Sequence, residues 1–164
     1  MMNETNAAAV AGLEPAAVWR FFAELAAVPR PSKHEDQIRQ HVRCLAERLN
    51  LPVREDPVGN MVIDVPASSG HERAPVTVLQ GHLDMVAEKN SGTEHDFLKD
   101  PIRLVRDSEP QSGRAFMRAD GTTLGADNGI GVALAFAAAT EPDVVHGPLE
   151  ILLTIDEEMG MTGA

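Results

Sequence analysis

Apolar residues recur at helical spacing in two early stretches. Val18, Phe21, Phe22, Leu25 and Val28 share one stripe. This predicts a helix over Pro15 to Val28, with proline in its first turn and Pro29 and Pro31 closing it. Ser32-x-x-Glu35 reads as a capping box opening a second helix, whose inner face carries Ile38, Val42, Leu45 and Leu49. Residues 1–13 read as a disordered tail. The period then changes. Val53–Glu55 and Met61–Val65 flank Pro57-Val58-Gly59-Asn60, a strand pair about a turn. The β-branched, apolar run Val76–Gln80 reads as a buried strand that stops at Gly81. After a polar, irregular stretch from Glu88 to Asp100, short strands are expected at Ile102–Val105 and Ala115–Met117. Asp120–Gly131 holds four glycines in twelve residues and feeds an alanine-rich helix over Ile130–Thr140, ended by Pro142. Leu149–Ile155 is the last strand. Strands alternating with helices predict an α/β domain with a largely parallel or mixed sheet flanked by helices.

Composition narrows the partners. A 43 % hydrophobic content over 164 residues suffices for one domain with a core. The formal net charge of −11 argues against nucleic acid and anionic membrane surfaces. Cys44 is the single cysteine, which excludes an internal disulfide. Within its helical pattern it reads as a small buried hydrophobe. The opening MMNETNAAAVAG lacks the basic flank and apolar stretch of a secretory signal. No run approaches the roughly 18 apolar residues of a membrane span. Cytoplasm is therefore the expected compartment.

Three stretches carry candidate chemistry at the exits of predicted elements. His82 and Asp84 follow one strand, Asp127 lies in the glycine-rich loop, and Asp156, Glu157 and Glu158 follow the last strand. Ligands of open α/β sheets bind beyond the carboxyl ends of strands, where these stretches can meet. If the backbone stays extended, His82 and Asp84 point the same way, so the carboxylate can accept one ring N–H and orient the imidazole. Taken singly, each has a plainer reading: a surface His–Asp pair, or a solvated Glu–Glu pair in an acidic chain. Together, one imidazole and several carboxylates suit Zn²⁺, Mn²⁺ or Co²⁺ and metal-assisted hydrolysis. Glu157 and Glu158 would then supply one base and one ligand. No GxSxG, GK[ST], HExxH or paired CxxC pattern offers a competing chemistry. His34, His41 and His71 read as surface residues, and His95 and His146 as loop residues, with contact to substrate as the alternative for these two.

In order along the chain, QGHLDMV, HDFLKDPI, GTTLGADNGIG and HGPLEILLTIDEEMG resemble the M20 metallopeptidases. Ala126-Asp127-Asn128-Gly129 stands where related deacylases carry an Asp-Met-Lys-Gly type segment, which favours the dipeptidase branch. The resemblance implies a zinc-exopeptidase-like catalytic domain over residues 14–164, incomplete at its C-terminus. It implies two divalent ions, zinc foremost, with manganese or cobalt as alternatives. His82 and Glu158 would each bind one metal, Asp127 would bridge them across a cis bond to Asn128, Asp84 would orient His82, and Glu157 would be the general base. Unblocked dipeptides, Xaa-His among them, would be the substrates, and the full-length parent a homodimer. A further acidic ligand and a late histidine are expected beyond Ala164, as is the lid or dimerisation domain. The chain then reads as a fragment that is inactive on its own. The alternatives are a deacylase or carboxypeptidase of the same superfamily, or a non-catalytic fragment.

Overall fold

The computed structural model describes residues 4–163. Three helices come first: α1 (Glu4–Val10), α2 (Ala16–Ala26) and α3 (Asp36–Arg48). Strands β1 (Val53–Glu55), β2 (Met61–Val65) and β3 (Thr77–His82) follow, then β4 (Leu104–Ser108) and β5 (Ala115–Ala119). Helix α4 (Ala126–Thr140) and strand β6 (Leu149–Thr154) complete the order. The main sheet runs β1-β2-β6-β3, and β4 and β5 form a separate antiparallel ribbon. Among the described strands only β3 and β6 pair in parallel, with Thr77 opposite Leu149 and His82 opposite Thr154. The sheet is therefore mixed rather than largely parallel.

The apolar stripes close the core as their spacing dictates. Phe21 and Phe22 of α2, Ile38 and Val42 of α3, Met61 and Ile63 of β2, Ile151 and Leu153 of β6 and Phe136 of α4 are all buried. The Phe21 and Phe136 rings meet at 5.7 Å between centroids, fastening α2 to α4. Fully burying one such side chain contributes about 1.5–3 kcal/mol. β2 and β6 alternate buried and half-buried residues along a shared register from Met61↔Leu153 to Val65↔Leu149, as strands with one core face must.

Four expectations give way to the structure. Residues 4–10 are helical rather than disordered, while residues 1–3 lie outside the described residues. Asn6 explains the helix: its amide donates to the Ile102 carbonyl and accepts from the Leu104 N–H, both at 3.0 Å, docking α1 on β4. Strand β3 is an edge, so Val76 and Val78 stand exposed instead of buried. Ser32 and Glu35 do not cap α3, whose N-terminus carries no side-chain capping bond. Cys44 is exposed, on the α3 face turned away from Ile38, Val42 and Leu45.

Candidate metal centre

The parallel pairing of β3 with β6 sets two strand exits side by side, and the Leu83 N–H donates to the Thr154 carbonyl at 2.8 Å. His82 ends β3, while Glu157 and Glu158 come just after β6. Asp156 makes the turn between them in the left-handed region, at φ 53°. The segment between α2 and α3 comes alongside through a bridge between Pro31 and Met85, which delivers Arg30, Ser32 and Glu35 to the same place.

Asp84 is the hub. Its carboxylate is 0 % exposed. Oδ1 lies 3.3 Å from His82 Nδ1 and accepts the Glu157 N–H at 3.1 Å. Oδ2 accepts the Glu158 N–H at 3.1 Å and the Ser32 hydroxyl at 2.6 Å. Burial alone would raise the Asp84 pKa, but the bonds from His82, Ser32 and the two backbone amides hold it well below the usual carboxylate range. His82 shows the opposite balance. Burial disfavours its charge, yet its bonds to Asp84 and Asp127 and the charges of Asp84 and Glu157 push it up to about 9.

The other ring nitrogen faces the carboxylates. His82 Nε2 is 3.0 Å from Asp127 Oδ1 and 3.7 Å from Glu157 Oε2. Donor atoms of His82, Asp127 and Glu158 all lie within 4.8 Å of one another. Desolvation raises the Glu158 pKa, and Asp127, Glu157 and Asp84 push it further while His82 pulls it down. Such crowding of like charge is relieved by a cation. The donor set, imidazole nitrogen plus carboxylate oxygen without thiolate, fits a divalent ion of the zinc, manganese or cobalt kind.

Asp127 is carried on a special turn. Gly125 enters it at φ 68°, Asp127 and Asn128 have non-helical dihedrals at the head of α4, and the peptide bond between them is cis. Two glycines make room for the Asn128 side chain. A Cβ on Gly81 would stand 2.6 Å from Asn128 Oδ1, and one on Gly131 would stand 2.3 Å from it.

Of the residues singled out from sequence, His82, Asp84, Asp127, Glu157 and Glu158 come together. Asp156 does not join them, since it bonds Thr162 and the backbone of its own turn. His95 packs edge-on against Phe97, and His146 holds the Gly147 carbonyl; neither belongs to the group. Three residues were missed. Ser32 bonds Asp84, and Glu35 accepts the Lys33 and Asp156 N–H groups. Their spacing was visible, but its capping-box meaning was local. The third, Arg30, is buried and donates to the carbonyls of Leu83, Asp84 and Gly125. Nothing in the Pro-Arg-Pro sequence signals it.

No family model matches the chain. It is 48 % identical over 152 residues to the cytosol non-specific dipeptidase of Escherichia coli, a match covering 93 % of this chain and 30 % of that protein. The crystal structure of aminoacylhistidine dipeptidase from Vibrio alginolyticus superposes with a TM-score of 0.85 at 45 % identity, covering 94 % of this chain and 30 % of that one. Aminopeptidase PepT from Bacillus cereus shares the fold, with a TM-score of 0.66 at 24 % identity over 90 % of this chain and 38 % of that one. The chain thus spans under two fifths of each of these proteins. In sequence and in fold it is similar to part of a dipeptidase, as the M20 resemblance of its four motifs implied.

Proposed function

We propose that these residues form part of the active site of a metallodipeptidase, which hydrolyses the peptide bond of unblocked dipeptides, Xaa-His among them. The observation that carries the reading is the convergence of His82, Asp127 and Glu158 within 4.8 Å, with Glu157 beside them and Asp84 buried behind. The names of the E. coli and Vibrio relatives favour dipeptides over other substrates.

His82, Asp127 and Glu158 would hold divalent cations, a pair of them with zinc foremost. Bound there, such cations polarise a substrate carbonyl and make a water more acidic. Glu157 takes the proton of the attacking water and passes it to the departing amine. Its position follows from its own backbone N–H, which is fixed on Asp84. Asp84 also keeps the His82 ring turned so that Nε2 faces Asp127, where it would serve as a ligand.

Catalytic zinc sites commonly use about three protein ligands per ion. Two ions therefore need more donors than these three side chains offer. The reading assigns turnover to the complete enzyme, dimeric and cytoplasmic, with the remaining ligands outside the described residues.

Glu157→Gln in the complete enzyme should cut dipeptide turnover by about 100- to 10,000-fold. Metal content, read by elemental analysis, should stay at the parent level. Retained turnover contradicts the assignment. Turnover on N-acylated amino acids but not on free dipeptides would move the site to the deacylases. Hydrolysis of a dipeptide by the 164-residue chain alone with added Zn²⁺, Mn²⁺ or Co²⁺ would contradict the shortage of ligands.

A further inference from the structure

Arg30 is a buried cation, 2 % exposed, whose fork reaches two segments far apart in sequence. Nη1 donates to the Leu83 carbonyl at 3.0 Å and the Asp84 carbonyl at 3.2 Å, on the strand exit that carries His82. Nη2 donates to the Gly125 carbonyl at 2.6 Å, two residues before Asp127. The floor under this guanidinium is made of glycine. A Cβ on Gly125 would lie 2.5 Å from Nη2, and one on Gly129 would lie 2.7 Å from it. These glycines bracket Asp127 symmetrically, two residues to either side. The planar fork spans a pair of carbonyls on one segment and a single carbonyl on the other, which a lysine ammonium cannot do.

We propose that Arg30 is a positioning residue that sets the spacing between the His82 strand exit and the Asp127 turn, and with it the geometry offered to a cation; the last part rests on the metal reading above. It touches neither substrate nor metal. It acts through three backbone carbonyls, and its charge stands beside the buried Asp84 carboxylate. Burial lowers the Arg30 pKa and Asp84 draws it back up, leaving it at about 10, so the guanidinium stays charged at neutral pH.

Two variants test this in the chain itself. Arg30→Lys keeps the charge and loses the fork; Gly129→Ala keeps the fork and displaces it. In the metal-free protein, the His82 ring resonances are followed by NMR at neutral pH. Co²⁺ association is followed by calorimetry and by the visible absorption of the bound ion. The proposal expects both folded variants to shift or broaden the ring resonances, to weaken Co²⁺ by at least about tenfold and to change its absorption envelope. Unmoved ring resonances and a Co²⁺ affinity within twofold of the parent would overturn it. So would loss of the fold in both variants, which would make Arg30 a strut of the core and nothing more. A parent chain that binds no Co²⁺, with the ring resonances still perturbed in the variants, would sink the metal reading and sustain the role of Arg30.

Discussion

The two halves of the candidate centre are built differently. On the side of β3, His82 and Asp84 are 5 % and 0 % exposed, and every oxygen of Asp84 is already bonded. On the other side, the Asp127 side chain is 79 % exposed and that of Glu157 38 % exposed. The buried half is finished without any ion; the exposed half is a set of carboxylates brought near one imidazole. This division separates two tasks. A buried, hydrogen-bonded base aims the imidazole, and the exposed carboxylates stand open to an incoming cation. Stability should follow the first half, and metal binding should draw on both.

The largest effect expected on stability comes from Asp84. Asp84→Ala strips the acceptor from Ser32 and from two backbone amides and removes the carboxylate beside His82, whose Nδ1 keeps the Asp84 backbone carbonyl. Breaking a buried charged network of this kind costs about 3–5 kcal/mol, readable as a lower urea midpoint. A loss below about 1 kcal/mol would mean that stability does not follow the buried half.

The pH dependence of the metal-free protein sharpens the same contrast. His82 is raised to about 9 from an ordinary value near 6.5, so its folded state binds the proton more tightly than the unfolded chain does. Its stabilisation is complete below about pH 6.5 and is lost as pH climbs through about 9. Asp84, depressed, behaves in reverse: its contribution is present above about pH 4 and falls away only in stronger acid. Thermal melts across pH 6–10 should decline with pH in the parent, and His82→Gln should flatten that decline. An unchanged slope in the variant would detach the imidazole from it.

Gly81→Ala ranks next. Its Cβ would press on Asn128 Oδ1, and crowding a packed site costs about 1–3 kcal/mol. Zinc affinity should fall along with the melting temperature, because the same contact seats the Asp127 turn. The smallest stability effect is expected at Asp127 itself. Asp127→Ala should lower stability by about 1 kcal/mol, the loss of one hydrogen bond to His82, while removing most of the zinc affinity. Equal losses of stability from Asp84→Ala and Asp127→Ala would erase the distinction between the halves.

Much of this arrangement was legible in the residues. The stripes of α2 and α3 and the alternation in β2 and β6 are hydrophobic periods, and the structure keeps them. His82 and Asp84 do meet, as a two-residue spacing suggested, although the strand ends at His82 and the backbone bends at Leu83 rather than staying extended. That Glu157 and Glu158 could reach His82 followed from two strand exits sharing one sheet edge, whereas Asp127, at the head of α4, joined them only through the M20 resemblance. What escaped was polar and long-range. Asn6 docks α1 by bonding backbone nearly a hundred residues away, which leaves no apolar signature. Ser32 and Glu35 satisfy distant partners at the centre rather than the helix start next to them. Arg30 is held by backbone carbonyls, and carbonyls are the same in every sequence. Strand β3 looked buried because its composition is apolar; only the strand order reveals it as an edge.

Anomalous diffraction at the zinc edge, from crystals of the chain grown with Zn²⁺, tests the central claim most directly. The account predicts a peak about 2.0–2.2 Å from His82 Nε2 and from a carboxylate oxygen of Asp127 or Glu158, with the His82–Asp84 contact unchanged. Zinc bound elsewhere on the acidic surface, with His82 still hydrogen-bonded to Asp127, would contradict it.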